Sequence, residues 1–126
     1  MIEMDSSMPK KHTDSNRNER VAAKVQTIVA EILRKDYADD PIISKVSLVG
    51  ADGRGGLQFV RLFFHCPIDD IDAAKRALDI ETRTIRFKMG QQIDQKYVPQ
   101  IRFTYDDTLE RAERIEELLE SVSVSG

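Results

Sequence analysis

The spacing of hydrophobic positions along this chain changes several times, and each change marks a separate structural element. Residues 17–35 repeat apolar side chains at helical spacing, which predicts a first helix. Residues 42–50 and 57–66 are rich in β-branched and aromatic side chains and predict two strands. Residues 69–89 return to a helical period, and residues 100–105 alternate apolar and polar side chains as a half-buried strand does. A last helix places its apolar side chains on one side: Leu109, Ala112, Ile115, Leu118 and Leu119.

Prolines, glycines and aspartates indicate where these elements begin and end. Pro41 stops the first helix, because the residue before a proline is pushed away from helical geometry. Gly90 marks one possible end of the second helix, and the five residues after it could extend that helix. Pro99 lacks a backbone donor, so this end of the third strand is expected at an edge of the sheet. Asp107 and Glu110 have the spacing of a capping box at the start of the last helix.

The order helix, strand, strand, helix, strand, helix limits the architecture. The first two strands are expected to pair as an antiparallel hairpin across the glycine-rich connection 50–56. Their apolar side must be buried by helices, which predicts a single two-layer α+β domain with type II KH-like connectivity. The last helix is expected to close the domain by docking on the sheet. We expect a disordered tail over residues 1–16, the folded domain over 17–121 and a flexible end over 122–126.

Length and composition narrow the class of protein further. A chain of 126 residues with 33% charged residues suits one soluble domain with a modest core. The N-terminus lacks the apolar run of a signal peptide, so we expect a cytoplasmic protein without a membrane span. The single Cys66 cannot form an internal disulfide, and His12 and His65 are too far apart for a metal-ligand motif.

Charge is segregated along the chain although the formal net charge is only −3. Residues 75–105 contain seven Lys or Arg against three Asp or Glu, whereas residues 106–126 contain two against seven. Residues 1–35 are also mildly basic, and residues 36–74 are acidic. A local basic patch can attract a polyanion on an acidic protein. Composition alone does not separate this interpretation from ordinary variation along a solvated surface.

An ordered set of short segments resembles the ribosome-binding factor A family over about residues 17–120. A run of Pro, apolar residue and Phe leads to an aspartate before the closing helix in that family, as in residues 99–106 here. No single segment is specific to the family, but the ordered set of segments is. The other matching segments are Arg20-Val21, Asp40-Pro41, 46–49, Asp52, Leu57 with the following strand, and Ile85-Arg86 before Gly90.

The resemblance implies a KH-like fold and a role in maturing the small ribosomal subunit. It implies a protein that binds the immature subunit through its rRNA and assists late rRNA processing, notably in the cold. It implies no enzymatic activity and no cofactor, catalytic residue or metal site. An assembly GTPase is a further possible partner under this resemblance, and a monomer is expected.

One segment departs from the family pattern. The family usually interrupts the second helix with an Ala-x-Gly kink, where this chain has Glu81-Thr82-Arg83. Without glycine the backbone loses easy access to unusual dihedral angles. We hypothesise that Arg83 and Arg86 supply side-chain phosphate contacts where the family uses a tight backbone turn.

Basic side chains on the first two helices are the candidate RNA-binding residues. Such residues neutralise phosphates and release counterions, so binding should weaken as salt rises. The alternative is a solvated helix face whose cations pair with acidic neighbours. The candidates are Arg17, Arg20, Lys24, Arg76, Arg83, Arg86 and Lys88.

Other chemistry-bearing patterns have simpler structural explanations. Phe59 and Phe63 around Arg61 resemble a base-stacking strand face, but we favour packing beneath the closing helix. The connection 50–56 lacks the Lys-Ser/Thr ending of a nucleotide-binding loop, and adjacent aspartates at helix starts are explained as caps. A second candidate function is a protein-interaction or dimerisation module that uses the acidic last helix. A small hydrolase is the weakest candidate, because no nucleophile and base pair is evident.

Overall fold

Three helices and three strands alternate along the chain in the computed structural model, which describes the backbone of residues 2–54 and 58–125. Side chains are described over 17–53, 58–108 and 111–120. The order of elements confirms the α-β-β-α-β-α prediction. The elements are α1 (Ile2–Asp36), β1 (Ser47–Arg54), β2 (Phe59–His65), α2 (Ile71–Gln92), β3 (Gln100–Tyr105) and α3 (Thr108–Ser125), with 3₁₀ turns at Ile43–Lys45 and Ile68–Asp70.

The sheet has the order β1-β2-β3, with β2 in the centre. Strands β1 and β2 pair antiparallel, as the hairpin pattern predicts, with an irregularity between Leu48 and Gly50. Strands β2 and β3 pair parallel, so that Leu62 lies opposite Phe103. Parallel neighbours need a crossover connection, and α2 provides it. Among the described strands, β3 has a partner on one side only, which leaves its other edge open.

One face of this sheet forms the core together with α1 and α2. The helix α1 packs mainly on β1, and α2 packs mainly along β3, while the two helices also contact each other. Alternate residues of β2 are buried, which is the expected result when only one face of a strand is covered. The largest fully buried side chains are Phe64, Ile43, Leu62, Leu78, Ile85, Met89, Val25, Val29 and Val60.

The helix α1 begins at Ile2, whereas the apolar period predicts a helix only from about Arg17. A hydrophobic period detects the part of a helix that faces a core, and it carries no information on turns that continue beyond the core. That residues 1–16 form a tail outside the folded domain stays a prediction. In the described parts of the chain, no helix combines the length and the apolar character that a membrane span requires.

Gly90 lies inside α2 and does not end it. A Cβ atom placed on Gly90 would lie 3.1 Å from Cγ2 of Val98, which is tighter than ordinary van der Waals contact. The glycine therefore allows the segment before β3 to approach the last turns of α2. The helix ends at Gln92, inside the extension that the sequence left open.

Aspartates hold the chain at several junctions, although not always in the predicted way. Oδ1 of Asp40 accepts hydrogen bonds from the backbone N–H groups of Ile42 and Ile43, at 2.9 and 2.8 Å. At the start of α3, Oδ1 of Asp106 accepts from the N–H of Thr108 at 3.0 Å. The side chain of Glu110, which the predicted capping box with Asp107 requires, lies outside the described residues. At the start of α2, Asp70 forms no capping bond.

The helix α3 does not dock on the sheet, so the expectation of a helix that packs there is wrong. Across the described residues, α3 packs on no other helix or strand. Its side chains over 111–120 are all exposed, including Ile115, Leu118 and Leu119 at 57%, 61% and 61%. The apolar face of the sheet is already covered by α1 and α2, so the last helix has no core surface left to bury.

Candidate nucleic-acid interface

An open groove of about 710 Å³ runs between α2 and the open edge of β3. Its floor is β3 itself, over 100–105. Along α2, residues at spacings of three and four face the same side, which brings one helical stripe to the groove. The residues that α2 and β2 contribute are Lys75, Arg76, Asp79, Thr82 and Phe59.

The backbone of β3 offers hydrogen-bonding groups to this groove. The N–H groups of Gln100 and Asp106 donate to Gln58 and Phe64 on the β2 side, each at 2.9 Å. Backbone groups alternate in direction along a strand, so those of Phe103, which is half-buried, point away from β2. An edge strand presents such groups to whatever lies beside it. The groove can therefore bind a ligand through main-chain hydrogen bonds.

Cations lie along the α2 side of the groove. Lys75 and Arg76 line it and are exposed. Arg83 follows Arg76 by seven residues, so it lies on the same side of α2 two turns further along and is also exposed. None of these three cations forms an ion pair with a described carboxylate. Two predicted residues, Arg76 and Arg83, thus meet the electrostatic requirement of a phosphate-binding surface.

The three candidates on α1 are exposed but do not line the groove. Arg17, Arg20 and Lys24 lie on the outer side of α1, opposite the buried Val21 and Val25. The helical-wheel prediction placed them on this outer side correctly. The structure does not bring them to the edge of β3, and their part in RNA binding stays a prediction.

Arg86 and Lys88 have their charged groups committed within the fold. Nε of Arg86 donates to the carbonyl of Pro99 at 3.0 Å, and Nη2 donates to the carbonyl of Val98 at 2.8 Å. Nζ of Lys88 pairs with Asp36 at 2.9 Å. Arg86 therefore fixes the segment that leads into β3, and Lys88 joins α2 to the end of α1. A helical wheel could not predict these roles, because it gives the direction of a side chain but not its bonding partner.

The segment Glu81-Thr82-Arg83 lies in uninterrupted helix. Oε1 of Glu81 accepts a hydrogen bond from the hydroxyl of Tyr37 at 2.6 Å, and this bond ties the end of α1 to the middle of α2. Oγ1 of Thr82 donates to the carbonyl of Leu78 at 2.7 Å, a helix-internal bond. Side-chain bonds thus occupy the place where the family usually has a glycine kink.

The face of the sheet opposite the helices carries an aromatic and cationic surface. Phe59, Arg61 and Phe63 lie on this face of β2, and Arg102 lies on it in β3. The expectation that Phe59 and Phe63 pack beneath the closing helix is wrong, because α3 does not cover them and Phe59 is 43% exposed. The base-stacking alternative is consistent with this exposure.

Among the polar residues that line the groove, Lys75, Asp79, Thr82 and Arg102 were not predicted as site residues. Arg102 had a usable signal, because it occupies a polar position of an alternating strand that follows an edge proline. Lys75 and Thr82 had none, since their importance depends on where α2 crosses β3.

His65 and Cys66 are adjacent titratable residues at the end of β2. Burial raises the pKa of the Cys66 thiol, and the charge of Asp70 raises it further, so the thiol stays protonated near neutral pH. The ring of His65 stacks on Tyr105 with centroids 5.6 Å apart. The described residues contain no cluster of His, Cys, Asp or Glu that could hold a metal ion.

The fold and the groove together define the class of protein. An antiparallel strand pair, a crossover helix and a parallel third strand, all backed by helices on one face, form the KH-like arrangement. The crystal structure of ribosome-binding factor A from Thermus thermophilus superposes with a TM-score of 0.62 at 14% sequence identity. That match covers 70% of this chain and 93% of the Thermus chain. The protein is therefore a KH-like α+β domain.

Sequence comparisons identify the family. The model of the family described as Ribosome-binding factor A matches residues 17–119. The ribosome-binding factor A of Trichlorobacter lovleyi is 33% identical over 110 residues, which cover 84% of this chain and 87% of the relative. That of Lacticaseibacillus casei is 34% identical over 107 residues, which cover 82% and 90%. The chain belongs to the ribosome-binding factor A family.

Replacing Arg86 should destabilise the fold. Arg86→Ala removes two bonds to backbone carbonyls, and bonds from a charged donor are typically worth about 2 kcal/mol each. We therefore expect urea unfolding to show a free energy of unfolding lower by about 2 kcal/mol or more. Arg83→Ala, on the same helix and exposed, is the matched control and should change it by less than about 0.5 kcal/mol. Equal effects of the two substitutions would contradict the structural role of Arg86.

The Tyr37–Glu81 bond should make stability depend on alkaline pH. Burial and the neighbouring Glu81 raise the pKa of the Tyr37 phenol above its ordinary value of 10.0. A group with a raised folded-state pKa contributes stability below its unfolded pKa and loses it as pH rises beyond about 10.

The measurement compares wild type with Tyr37→Phe, which keeps the ring and removes the hydroxyl. The variant should be less stable at pH 7 by about 1 kcal/mol. The difference between the two proteins should shrink as pH rises above about 10. A difference that stays constant over that range would show that the hydroxyl does not hold Glu81.

Proposed function

We propose that this chain binds the immature small ribosomal subunit by holding an unpaired rRNA segment in the groove between α2 and β3. It would assist late rRNA processing and subunit maturation by positioning RNA, without chemistry of its own. The observation that carries the proposal is the groove: the edge strand β3 forms its floor, and Lys75 and Arg76 on its α2 side pair with no described carboxylate. Sequence-selective RNA recognition favours single strands, whose bases can reach such a surface.

The distribution of charge suggests how the strand would lie. Phosphates would follow Arg76 and Arg83 on the outer side of α2. Bases would point to β3 and to Asp79, because a carboxylate repels phosphate but accepts hydrogen bonds from base amino groups. Arg86 and Lys88 are not part of this surface, since their charged groups are bonded within the fold.

The family supports the ribosomal target, because the relatives that match this chain are named ribosome-binding factor A. We extend the proposal to a role during growth in the cold, action in the cytoplasm as a monomer, and release with help from an assembly GTPase. Arg17, Arg20 and Lys24 would add contacts to RNA that passes α1.

Co-sedimentation with small ribosomal subunits at several salt concentrations tests the proposal. The wild-type protein should pellet preferentially with immature particles, and this association should be lost as the salt concentration rises. The Arg76→Ala, Arg83→Ala double variant should bind more weakly, and each lost phosphate contact should make the negative slope of log K against log salt less steep by about 0.7.

Arg34→Ala is the matched control. Arg34 is an exposed helix arginine that already pairs with Glu31 and lines a separate hollow between α1 and β1. Its loss should leave both affinity and salt slope unchanged. If the control and the double variant bind equally, the groove is not the RNA surface.

A second candidate function uses α3 to contact a protein. The apolar side chains of Ile115, Leu118 and Leu119 are exposed, and four glutamates over 111–120 make the helix acidic. This candidate predicts a concentration-dependent increase in mass in sedimentation equilibrium for a dimer, which Leu118→Glu abolishes. A constant monomer mass for both proteins would exclude dimerisation through α3.

A further inference from the structure

The face of the sheet opposite α1 and α2 carries two cation–π pairs, each formed by an arginine and a phenylalanine. The guanidinium of Arg102 lies over the ring of Phe59, with Cζ 5.1 Å from the ring centroid. The guanidinium of Arg61 lies over the ring of Phe63 at 5.2 Å. Arg61 and Arg102 are directly opposite each other in the β2–β3 register, so the two pairs are neighbours on adjacent strands.

This surface is open, although it contains large apolar rings. The helices α1 and α2 both lie on the other face, and α3 packs on neither face within the described residues. Phe59 is 43% exposed, and Phe63 on the same face is half-buried. A single exposed ring is common on protein surfaces, but two rings on one open sheet face, each beside an arginine, form a patch of the kind that marks a binding surface.

We infer that this face is a second nucleic-acid site, which stacks the bases of a single-stranded RNA on the Phe59–Arg102 and Phe63–Arg61 pairs. The inference rests on the proposed function, since it gives the same RNA a second surface beyond the groove. Unpaired bases stack on aromatic rings and on guanidinium planes, and every base has a face that can do so. The site therefore selects single strands with little preference for sequence.

The groove and the open face are continuous, which favours RNA over other occupants. Phe59, Gln100, Arg102 and Thr104 line the groove, and the same side chains belong to the open face of the sheet. A strand held in the groove would pass over the edge of β3 directly onto Phe59 and Arg102. The two phenylalanines are four residues apart on β2, or roughly 13 Å, so each ring can hold a different base.

Charge on the open face assigns different roles to the two arginines. Nη2 of Arg61 pairs with Oδ2 of Asp52 at 3.0 Å, so its charge is partly neutralised and the pair holds the guanidinium over Phe63. Arg102 is exposed and forms no ion pair with a described carboxylate. Arg102 can therefore contact both a base and a phosphate, whereas Arg61 is held over Phe63 by its ion pair with Asp52.

The acidic helix α3 is the competing occupant of this face. It follows β3 after two residues, and its exposed apolar side could fold back on Phe59 and Phe63. The experiment must distinguish the two occupants.

The test measures binding of a fluorescently labelled oligouridylate of about 10 nucleotides, a length within the range of single-strand binding surfaces. Phe59→Leu keeps an apolar side chain but removes the ring, and it should weaken binding by about 5- to 100-fold. Phe87→Leu is the matched control, because Phe87 is an exposed phenylalanine on α2 that lines neither surface. It should bind like wild type.

A tryptophan reporter shows stacking directly. The chain has no tryptophan, so Phe59→Trp introduces a single indole on the open face. Its fluorescence should be quenched by the oligouridylate and should be open to iodide without RNA. Quenching together with weaker binding of Phe59→Leu supports the inference.

Three outcomes overturn it, each in a different way. If Phe59→Leu binds like wild type and the indole is not quenched, while Arg76→Ala, Arg83→Ala loses subunit binding, the groove acts alone and the proposed function stands. If the indole is shielded without RNA and becomes accessible after Leu118→Glu, α3 occupies the face. If wild type fails to bind small subunits, the proposed function fails together with this inference.

Discussion

Burial of a single sheet face under two helices is the constraint on which the rest of the molecule depends. Val60, Leu62 and Phe64 on the central strand are fully buried, and burial of each such side chain is worth about 1.5–3 kcal/mol. The helix α1 covers the β1 side of that face and α2 covers the β3 side. Because both helices are used on one face, the opposite face and the outer edge of β3 remain available to ligands.

The sequence predicted the part of the fold that depends on local period. Helices, strands, the hairpin and most core positions follow from the spacing of apolar residues, because the buried face imposes that spacing. The docking of α3 could not be predicted in the same way. The spacing of Ile115 and Leu118 shows that α3 has an apolar side. It does not identify the surface that would cover that side. The covering surface depends on how many helices the sheet already holds.

The candidate site was predicted less completely, because function depends on which cations remain unpaired. On a helical wheel Arg83 and Arg86 are equivalent, since both lie away from the buried stripe. In the fold, Arg86 reaches carbonyls of Val98 and Pro99, twelve and thirteen residues away, and Arg83 reaches no described partner. Long-range partners of this kind leave no periodic signal. The family resemblance supplied the ribosomal context but could not separate these two residues.

The unbroken helix at Glu81-Thr82-Arg83 has a thermodynamic consequence. A glycine hinge at this place would give the free protein several backbone conformations, and a ligand would have to select one of them. Here the uninterrupted helix and the bond from the Tyr37 hydroxyl to Glu81 hold one conformation before any ligand arrives. The conformational entropy of this segment is then lost during folding and not during association. At this point the chain therefore presents a preorganised helix to its ligand.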